Sequence, residues 1–281
     1  MSRFARSWAL VKASGTVLQQ DKVLLVFPLL SAVASLIVVA SFIVPLIVTG
    51  VVSDNPNVQD SDPQFALWAF LFYLVQYFVI FFFNAALVGA AMIRLDGGEP
   101  TVGDGLRVAT SKIVPILGYA AIAATVGMIL RMIEERAGFI GRWIAGLLGL
   151  AFTVATFLVV PLLVSRDIGP VDAVRESAEM LKKTWGENII GNAGLGFAFF
   201  IAYFLLAVAA IFLCYFSLQV GSGAGIVFVI AITIVAFVLL ALIHAALQGV
   251  YAAALYRFAT TGEGGGEFDG ALMENAFRQK A

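Results

Sequence analysis

The sequence predicts an all-α protein, a polytopic bundle of six transmembrane helices with cytoplasmic amphipathic helices before spans 1, 3 and 5. Three observations lead to this fold class. Of the 281 residues, 61% are hydrophobic and only 12% are charged, about half the charged fraction of an ordinary soluble domain. Uncharged apolar stretches recur at lengths of about 20 residues or more, which is enough to cross a hydrocarbon core. Finally, 14 of the 17 Lys and Arg residues fall on one side of the predicted spans.

Stretches without formal charge define the predicted spans. The first runs from residue 23 to residue 52, and residues 188–256 form an uncharged stretch that is too long for one helix. We expect this second stretch to fold back at the glycine-rich residues 219–225. The predicted spans are residues 23–50, 65–93, 113–130, 143–165, 189–218 and 226–256, within a membrane domain of residues 23–258.

The distribution of basic residues predicts the orientation, because the cytoplasmic loops of membrane proteins collect Lys and Arg. It places both termini in the cytoplasm and predicts a multi-pass protein of the cytoplasmic (inner) membrane. Arg131, Arg136 and Arg142 are the exceptions, in the loop between spans 3 and 4. A signal peptide ending near Ala34 is the alternative for the N-terminus, but the apolar stretch continues to Val52, as in a membrane span.

Residues 1–22 predict an amphipathic helix at the membrane surface. Apolar residues recur there at helical spacing, while Arg3 and Arg6 fall elsewhere on the helical wheel. Such a helix is expected to lie among anionic headgroups of the cytoplasmic leaflet, so membrane lipids are the predicted partners. Packing against the protein's own loops is the alternative. The candidate lipid-contact residues are Arg3, Phe4, Arg6, Trp8, Lys12 and Trp185.

Two further amphipathic helices are predicted before spans 3 and 5. The first begins at Thr101, with Asp104 three residues later, a pattern typical of a helix start. The second places Val171, Val174 and Leu181 on its apolar face. The chain therefore divides into three units, each an amphipathic helix followed by two spans. Internal sequence repetition would explain this pattern. So would polar segments that arose independently before each odd-numbered span.

The polar residues within the spans are neutral, which disfavours an ion-coupled transporter. At ~1.5 Å per residue, Asn84 and Gln248 both lie roughly 15 Å from the basic residues that close their spans, so the two could meet. Interhelical hydrogen bonding is the favoured role, and a ligand-lined cavity is the alternative. The candidate intramembrane polar cluster is Gln76, Asn84, His244, Gln248 and Tyr251. A small-residue face for close helix packing comprises Ala241, Ala245, Gly249 and Ala253.

The sequence lacks the residues that several classes of function require. His244 and Cys214 are the single histidine and the single cysteine, which argues against a Cys–His metal centre. Ser222 and His244 would lie ~33 Å apart along one helix, so they cannot form a nucleophile pair. We therefore expect no enzymatic activity, no cofactor and no metal. The net charge of −1 gives no reason to expect a nucleic-acid partner.

Residues 259–281 predict a Gly-rich linker followed by a short cytoplasmic helix. Leu272, Ala276 and Phe277 would form the apolar side of that helix. Docking on the protein's own cytoplasmic face is favoured over docking on a protein partner.

The opening segment resembles an uncharacterised prokaryotic family of multi-span membrane proteins. The resemblance rests on the pattern F-x-R-S-W-x-L-x-K-x-S, which begins at Phe4, and on residues 268–278 of the tail. It implies a membrane protein but no activity. More loosely, the layout is similar to the membrane domain fused to some glycerophosphodiester phosphodiesterases, without their catalytic domain.

Two functions remain in competition. The favoured one is a non-enzymatic bundle that organises lipids or protein partners, including further copies of itself, at the cytoplasmic face. The alternative is a carrier or channel for a neutral or lipophilic small molecule. A continuous cavity reaching Asn84 and Gln248 would favour the alternative, whereas a fully packed core would exclude it.

Overall fold

The structure, a computed structural model, describes residues 3–48, 63–136, 138–185, 194–219, 223–263, 265 and 268. Side chains are described for all of these except 3–11, 63, 183–185, 194, 195 and 197. This part of the chain is helical and contains no β-strand. A 3-10 helix, Lys22–Leu25, precedes the second α-helix. The α-helices are α1 (Arg3–Gln20), α2 (Val26–Val48), α3 (Pro63–Leu95), α4 (Val102–Ser111), α5 (Ile113–Arg136), α6 (Gly138–Ala155), α7 (Val159–Ser165), α8 (Pro170–Trp185), α9 (Gly194–Gln219) and α10 (Gly223–Thr261).

Six helical segments of the described chain are long and apolar enough to cross a membrane, so the predicted number of spans is confirmed. They are α2 with the 3-10 helix before it, α3, α5, α6 together with α7, α9 and α10. This is the architecture of a multi-pass membrane protein.

Charged residues end an apolar stretch without ending the helix that carries it. Span 3, predicted to stop at residue 130, continues as α5 to Arg136. Nε of Arg131 lies 2.7 Å from Oε1 of Glu135, one helical turn later. Pairs at this spacing stabilise a helix, so α5 extends past the last apolar residue.

Helix α3 lies at the centre of the bundle, where it contacts α2, α4, α5, α7 and α10. Small residues in its second half allow these close contacts: Ala86 and Ala90 are fully buried. A Cβ on Gly89 would lie 2.8 Å from Cγ1 of Val108 in α4. Small residues at such positions let helices in a membrane bundle approach each other closely.

We call the end of the bundle at which α3 and α10 finish the base, and the opposite end the far end. At the base, Nε of Arg94 lies 3.5 Å from Oδ2 of Asp21, and Nη2 of Arg94 donates a hydrogen bond to Gln20. Arg257 at the end of α10 pairs with Asp96, just after α3. The arginines that close these two spans therefore tie neighbouring segments together.

The three predicted amphipathic segments are helical and form α1, α4 and α8. At the start of α4, the hydroxyl of Thr101 accepts a hydrogen bond from the Asp104 N–H, and the Asp104 carboxylate accepts one from the Thr101 N–H. The helix start predicted from these two residues is confirmed. A Cβ on Gly105 would lie 2.4 Å from Cζ of Phe27 and 2.6 Å from the Ala86 carbonyl oxygen. Helix α4 is therefore packed into the base.

Helix α8 turns part of its predicted apolar face inward, since Leu181 is buried and Val174 packs against the core. Ala173, Ser177 and Leu181 are buried against the bundle, whereas Val171, placed on the predicted apolar face, is 68% exposed. Ser177 also makes two hydrogen bonds to the bundle. Helix α1 packs mainly on α9 and α10, and its Val17 is buried.

Part of the tail lies against the base. Phe268 is 1% exposed and belongs to the core. Gly265 has a φ of +74°, and a Cβ there would lie 2.8 Å from both the Leu95 carbonyl oxygen and Nε of Arg257. Only glycine fits this backbone conformation and this space. The predicted tail helix, with Leu272, Ala276 and Phe277, lies outside the described residues.

Candidate functional site

The site begins where α3 and α10 meet. A Cβ on Gly249 would lie 2.4 Å from Cδ2 of Leu87 and 3.5 Å from Oδ1 of Asn84. Ala253, one turn closer to the base, is fully buried, whereas Ala241 and Ala245 are exposed. The close contact of the predicted small-residue face is therefore made by its base half. It brings Asn84 beside the residues that flank Gln248.

A cavity of about 270 Å³ opens beside this contact. It is formed by α2, α3, α5, α10 and the segment that contains α6 and α7. Phe27, Leu87 and Ala252 line its base side and are buried. Ile80, Thr153 and Gln248 line the other side and are exposed. The cavity is therefore closed toward the base and open on the side away from it.

Asn84 and Gln248 supply the amides of the cavity wall. Within the described part of the chain, neither side chain makes a hydrogen bond. The hydroxyls of Thr153 and Thr156 already donate to the carbonyls of Gly149 and Phe152, each at 2.8 Å. Hydroxyls bonded in this way can accept a further hydrogen bond but not donate one. The two amides thus carry free donors as well as free acceptors.

The fourth span, predicted as one uninterrupted helix, is broken beside the cavity. Helix α6 ends at Ala155 and α7 begins at Val159. Pro161 accounts for the break, because a proline removes an N–H and its ring clashes with the carbonyl four residues earlier, here that of Phe157. Pro161 was the signal for this break, and the prediction of residues 143–165 as a single span overlooked it.

Ser177 of α8 satisfies the backbone at this break. Its hydroxyl donates to the Ala155 carbonyl at 2.7 Å and accepts from the Leu158 N–H at 3.1 Å. Ser177 is fully buried. Interrupted helices at membrane depth need such partners, because the bilayer offers none. Sequence reasoning missed Ser177, since its partners lie about 20 residues away, in the preceding span.

The structure separates the remaining members of the predicted polar cluster. The His244 ring stacks on Phe199 of α9, with centroids 4.2 Å apart. The Tyr251 ring lies 6.0 Å from that of Phe157. Oε1 of Gln76 is buried without a hydrogen-bond partner among the described residues. Asn84 and Gln248 are thus the two members brought to the cavity.

Comparison with protein families identifies the family of this chain. The model of a family of unknown function, DUF6159, matches residues 64–266. The chain belongs to the DUF6159 family. No curated protein matches its sequence.

The DUF6159 match covers every helix that lines the cavity except α2. It begins after the opening segment on which the resemblance to an uncharacterised family mainly rested. Membership in DUF6159 is therefore consistent with the predicted resemblance to an uncharacterised family. It assigns no activity to the chain.

The candidate lipid-contact residues of this DUF6159 chain lie mostly outside the described side chains. This applies to Arg3, Phe4, Arg6, Trp8 and Trp185. Lys12 is described and is exposed.

The ionic groups of the described chain are concentrated away from the cavity, for example at the base. There Arg166 pairs with Glu176 of α8. A hydrogen bond to Tyr256, together with the nearby Glu176 carboxylate, raises the pKa of the Arg166 guanidinium. The described residues contain no group of three or more His, Cys, Asp or Glu side chains placed to hold a metal ion. The cavity thus offers hydrogen bonds and apolar contact.

Proposed function

We propose that this DUF6159 protein is a membrane-embedded binding protein or carrier for a neutral or lipophilic small molecule. The supporting observation is the half-open cavity between α3, α10 and the broken fourth span. Its wall contains the amides of Asn84 and Gln248, which have no hydrogen-bond partner in the described chain. Apolar pockets with a few convergent polar groups are typical of small-molecule sites.

The packing of the amphipathic helices supports a carrier over a protein that organises lipids at its surface. Gly105 of α4 and Ser177 of α8 lie against the bundle, so these helices use their inner faces to build the base. Exposed residues such as Lys12 can still meet headgroups. That contact would anchor the protein, whereas the cavity gives it a site at which a ligand can bind.

Thr153→Phe tests this proposal by filling the open side of the cavity. We would reconstitute the protein in dioleoylphosphatidylcholine nanodiscs with a diazirine-bearing fatty alcohol and map the photolabelled peptides by mass spectrometry. Labelling is expected on residues 80–87 and 245–252. It should fall by about tenfold in the variant, which corresponds to a loss of ~1.4 kcal/mol of binding free energy.

Thr125→Phe is the matched control. Thr125 is also exposed on a span, and its hydroxyl also donates to the carbonyl four residues earlier, that of Ala121. It does not line the cavity. Equal labelling in the two variants, or labelling spread evenly over all exposed span faces, would show that the cavity is not a binding site.

A further inference from the structure

We infer that the ligand is an uncharged lipid whose head carries hydroxyl or carbonyl groups, and that Asn84 and Gln248 bind this head near the middle of the membrane. This inference rests on the proposed function and adds to it the chemical class of the ligand, the residues that recognise it and the depth at which its head is held.

The cavity wall excludes a charged head. None of the described residues that line it carries a formal charge. The nearest arginines along the two amide-bearing helices are Arg94 and Arg257, and each lies about 14–15 Å from the amide on its own helix. A phosphate, carboxylate or ammonium placed here would be buried without a counter-charge, which costs far more than burying a hydrogen-bonded neutral group.

The amides select a head that can both accept and donate hydrogen bonds. Each amide offers an N–H₂ donor and a carbonyl acceptor, and the two come from different helices, α3 and α10. An amide left unpaired in an apolar wall is unfavourable. A hydroxyl between Asn84 and Gln248 can donate to one amide carbonyl and accept from the other amide N–H₂. An ester carbonyl can only accept from an N–H₂, and a pure hydrocarbon pairs with neither amide.

The position of the opening supports entry from the bilayer. Exposed Gln248 and Ile80, on the open side, lie about 14 Å and 21 Å along their helices from Arg257 and Arg94. Both depths fall within a hydrocarbon core of about 30 Å. The cavity, at about 270 Å³, lies near the lower limit for small-molecule pockets. It would therefore take the head and the adjoining part of a chain, while the rest of the lipid stays in the bilayer.

Three lipids with the same acyl chains test the charge requirement. Nanodisc-reconstituted protein would be offered dioleoylglycerol, dioleoylphosphatidylglycerol or dioleoyl-trimethylammonium-propane, and the bound lipid would be counted by native mass spectrometry. One copy of dioleoylglycerol should be retained, and neither charged lipid should displace it. Displacement by either charged lipid at equal concentration would overturn the inference.

Asn84→Leu and Gln248→Leu test the recognition of the head. Each should lower dioleoylglycerol retention by about tenfold and leave retention of the charged lipids unchanged. Gln76→Leu is the matched control, because Gln76 is an amide on the same helix as Asn84, with a buried Oε1, and lies outside the cavity. It should retain dioleoylglycerol as the parent does. If Leu at position 84 prevents folding, Asn84→Ala should show the same loss.

The outcomes separate this inference from the proposed function. If Thr153→Phe abolishes dioleoylglycerol retention while both amide variants retain it fully, the assignment of the head site is wrong and the cavity remains a binding site. If Thr153→Phe has no effect, the proposed function itself is wrong, and the inference fails with it.

Discussion

Helices α3 and α9 are both apolar membrane spans, yet they are packed very differently. Helix α3 packs on five other α-helices, whereas α9 packs mainly on α10 and α1. In the base half of α3, Ala86 and Val88 are fully buried. On α9, Ile211 and Phe212 are 70% and 66% exposed.

The difference lies in side-chain size. The base half of α3 is rich in Ala and Gly, while α9 carries repeated Phe, Leu and Ile. Lipid tails solvate large apolar side chains as well as protein does, so hydrophobicity alone does not bring spans together in a membrane. Small residues permit close contact between helices. Polar groups that are shielded from water need hydrogen-bond partners within the protein. The cavity lies on the α3 side of the bundle because both kinds of residue meet there.

Ser177→Ala should produce the largest effect, because it removes the hydrogen-bond partner of the buried Leu158 N–H and of the partly buried Ala155 carbonyl at the broken span. Each unpaired group costs about 1–3 kcal/mol. We expect a clear loss of thermal stability in detergent. Ser41→Ala removes a hydroxyl that bonds within its own helix, to the Ile37 carbonyl, and should change the stability little. Equal effects of the two variants would mean that Ser177 does not hold the break together.

Gly105→Ala should destabilise the α3 side of the bundle by about 1–3 kcal/mol, the usual cost of overpacking. Its Cβ would meet the Ala86 carbonyl oxygen at 2.6 Å, and a backbone atom cannot easily move away. Gly196→Ala on α9 meets nothing within 4 Å and should stabilise its helix by up to about 1 kcal/mol. Thermal melts of both variants measure the contrast, and shifts of the same sign would contradict it.

Features that depend on local sequence could be predicted. The six spans follow from uncharged apolar stretches, and the start of α4 follows from Thr101 and Asp104. Counting residues inward from the arginines that close α3 and α10 places Asn84 and Gln248 at similar depths, because rise per residue is nearly constant in helices. Both residues line the cavity.

Features that depend on how helices diverge could not be predicted. Whether Asn84 and Gln248 bond to each other or face a cavity depends on where the broken fourth span sits relative to α10. The His244 ring does not line the cavity with Asn84 and Gln248, because it stacks on Phe199 of α9. On α8, hydrophobic spacing identified Val174 and Leu181, which face the core, but it could not identify Ser177, whose inward position depends on hydrogen bonds to a distant segment.

The smallest predicted effect concerns pH and the start of α4, on the α3 side of the bundle. Hydrogen bonds from Thr101 to the Asp104 carboxylate lower the pKa of that carboxyl. A lowered pKa in the folded state means that the ionised carboxylate stabilises the fold above its unfolded-state pKa of about 3.9, and that this contribution is lost as the pH falls through the folded-state pKa.

Asp104→Asn should therefore lower the melting temperature slightly at neutral pH, because the ionised carboxylate is replaced by a weaker acceptor. The difference between parent and variant should shrink as the pH drops below about 3.9. Glu263, which is exposed, serves as the control position: Glu263→Gln should show no such convergence. Melting curves collected from neutral to acidic pH measure both. A parent–variant difference at Asp104 that stayed constant across that range would show that the carboxylate charge does not stabilise the start of α4.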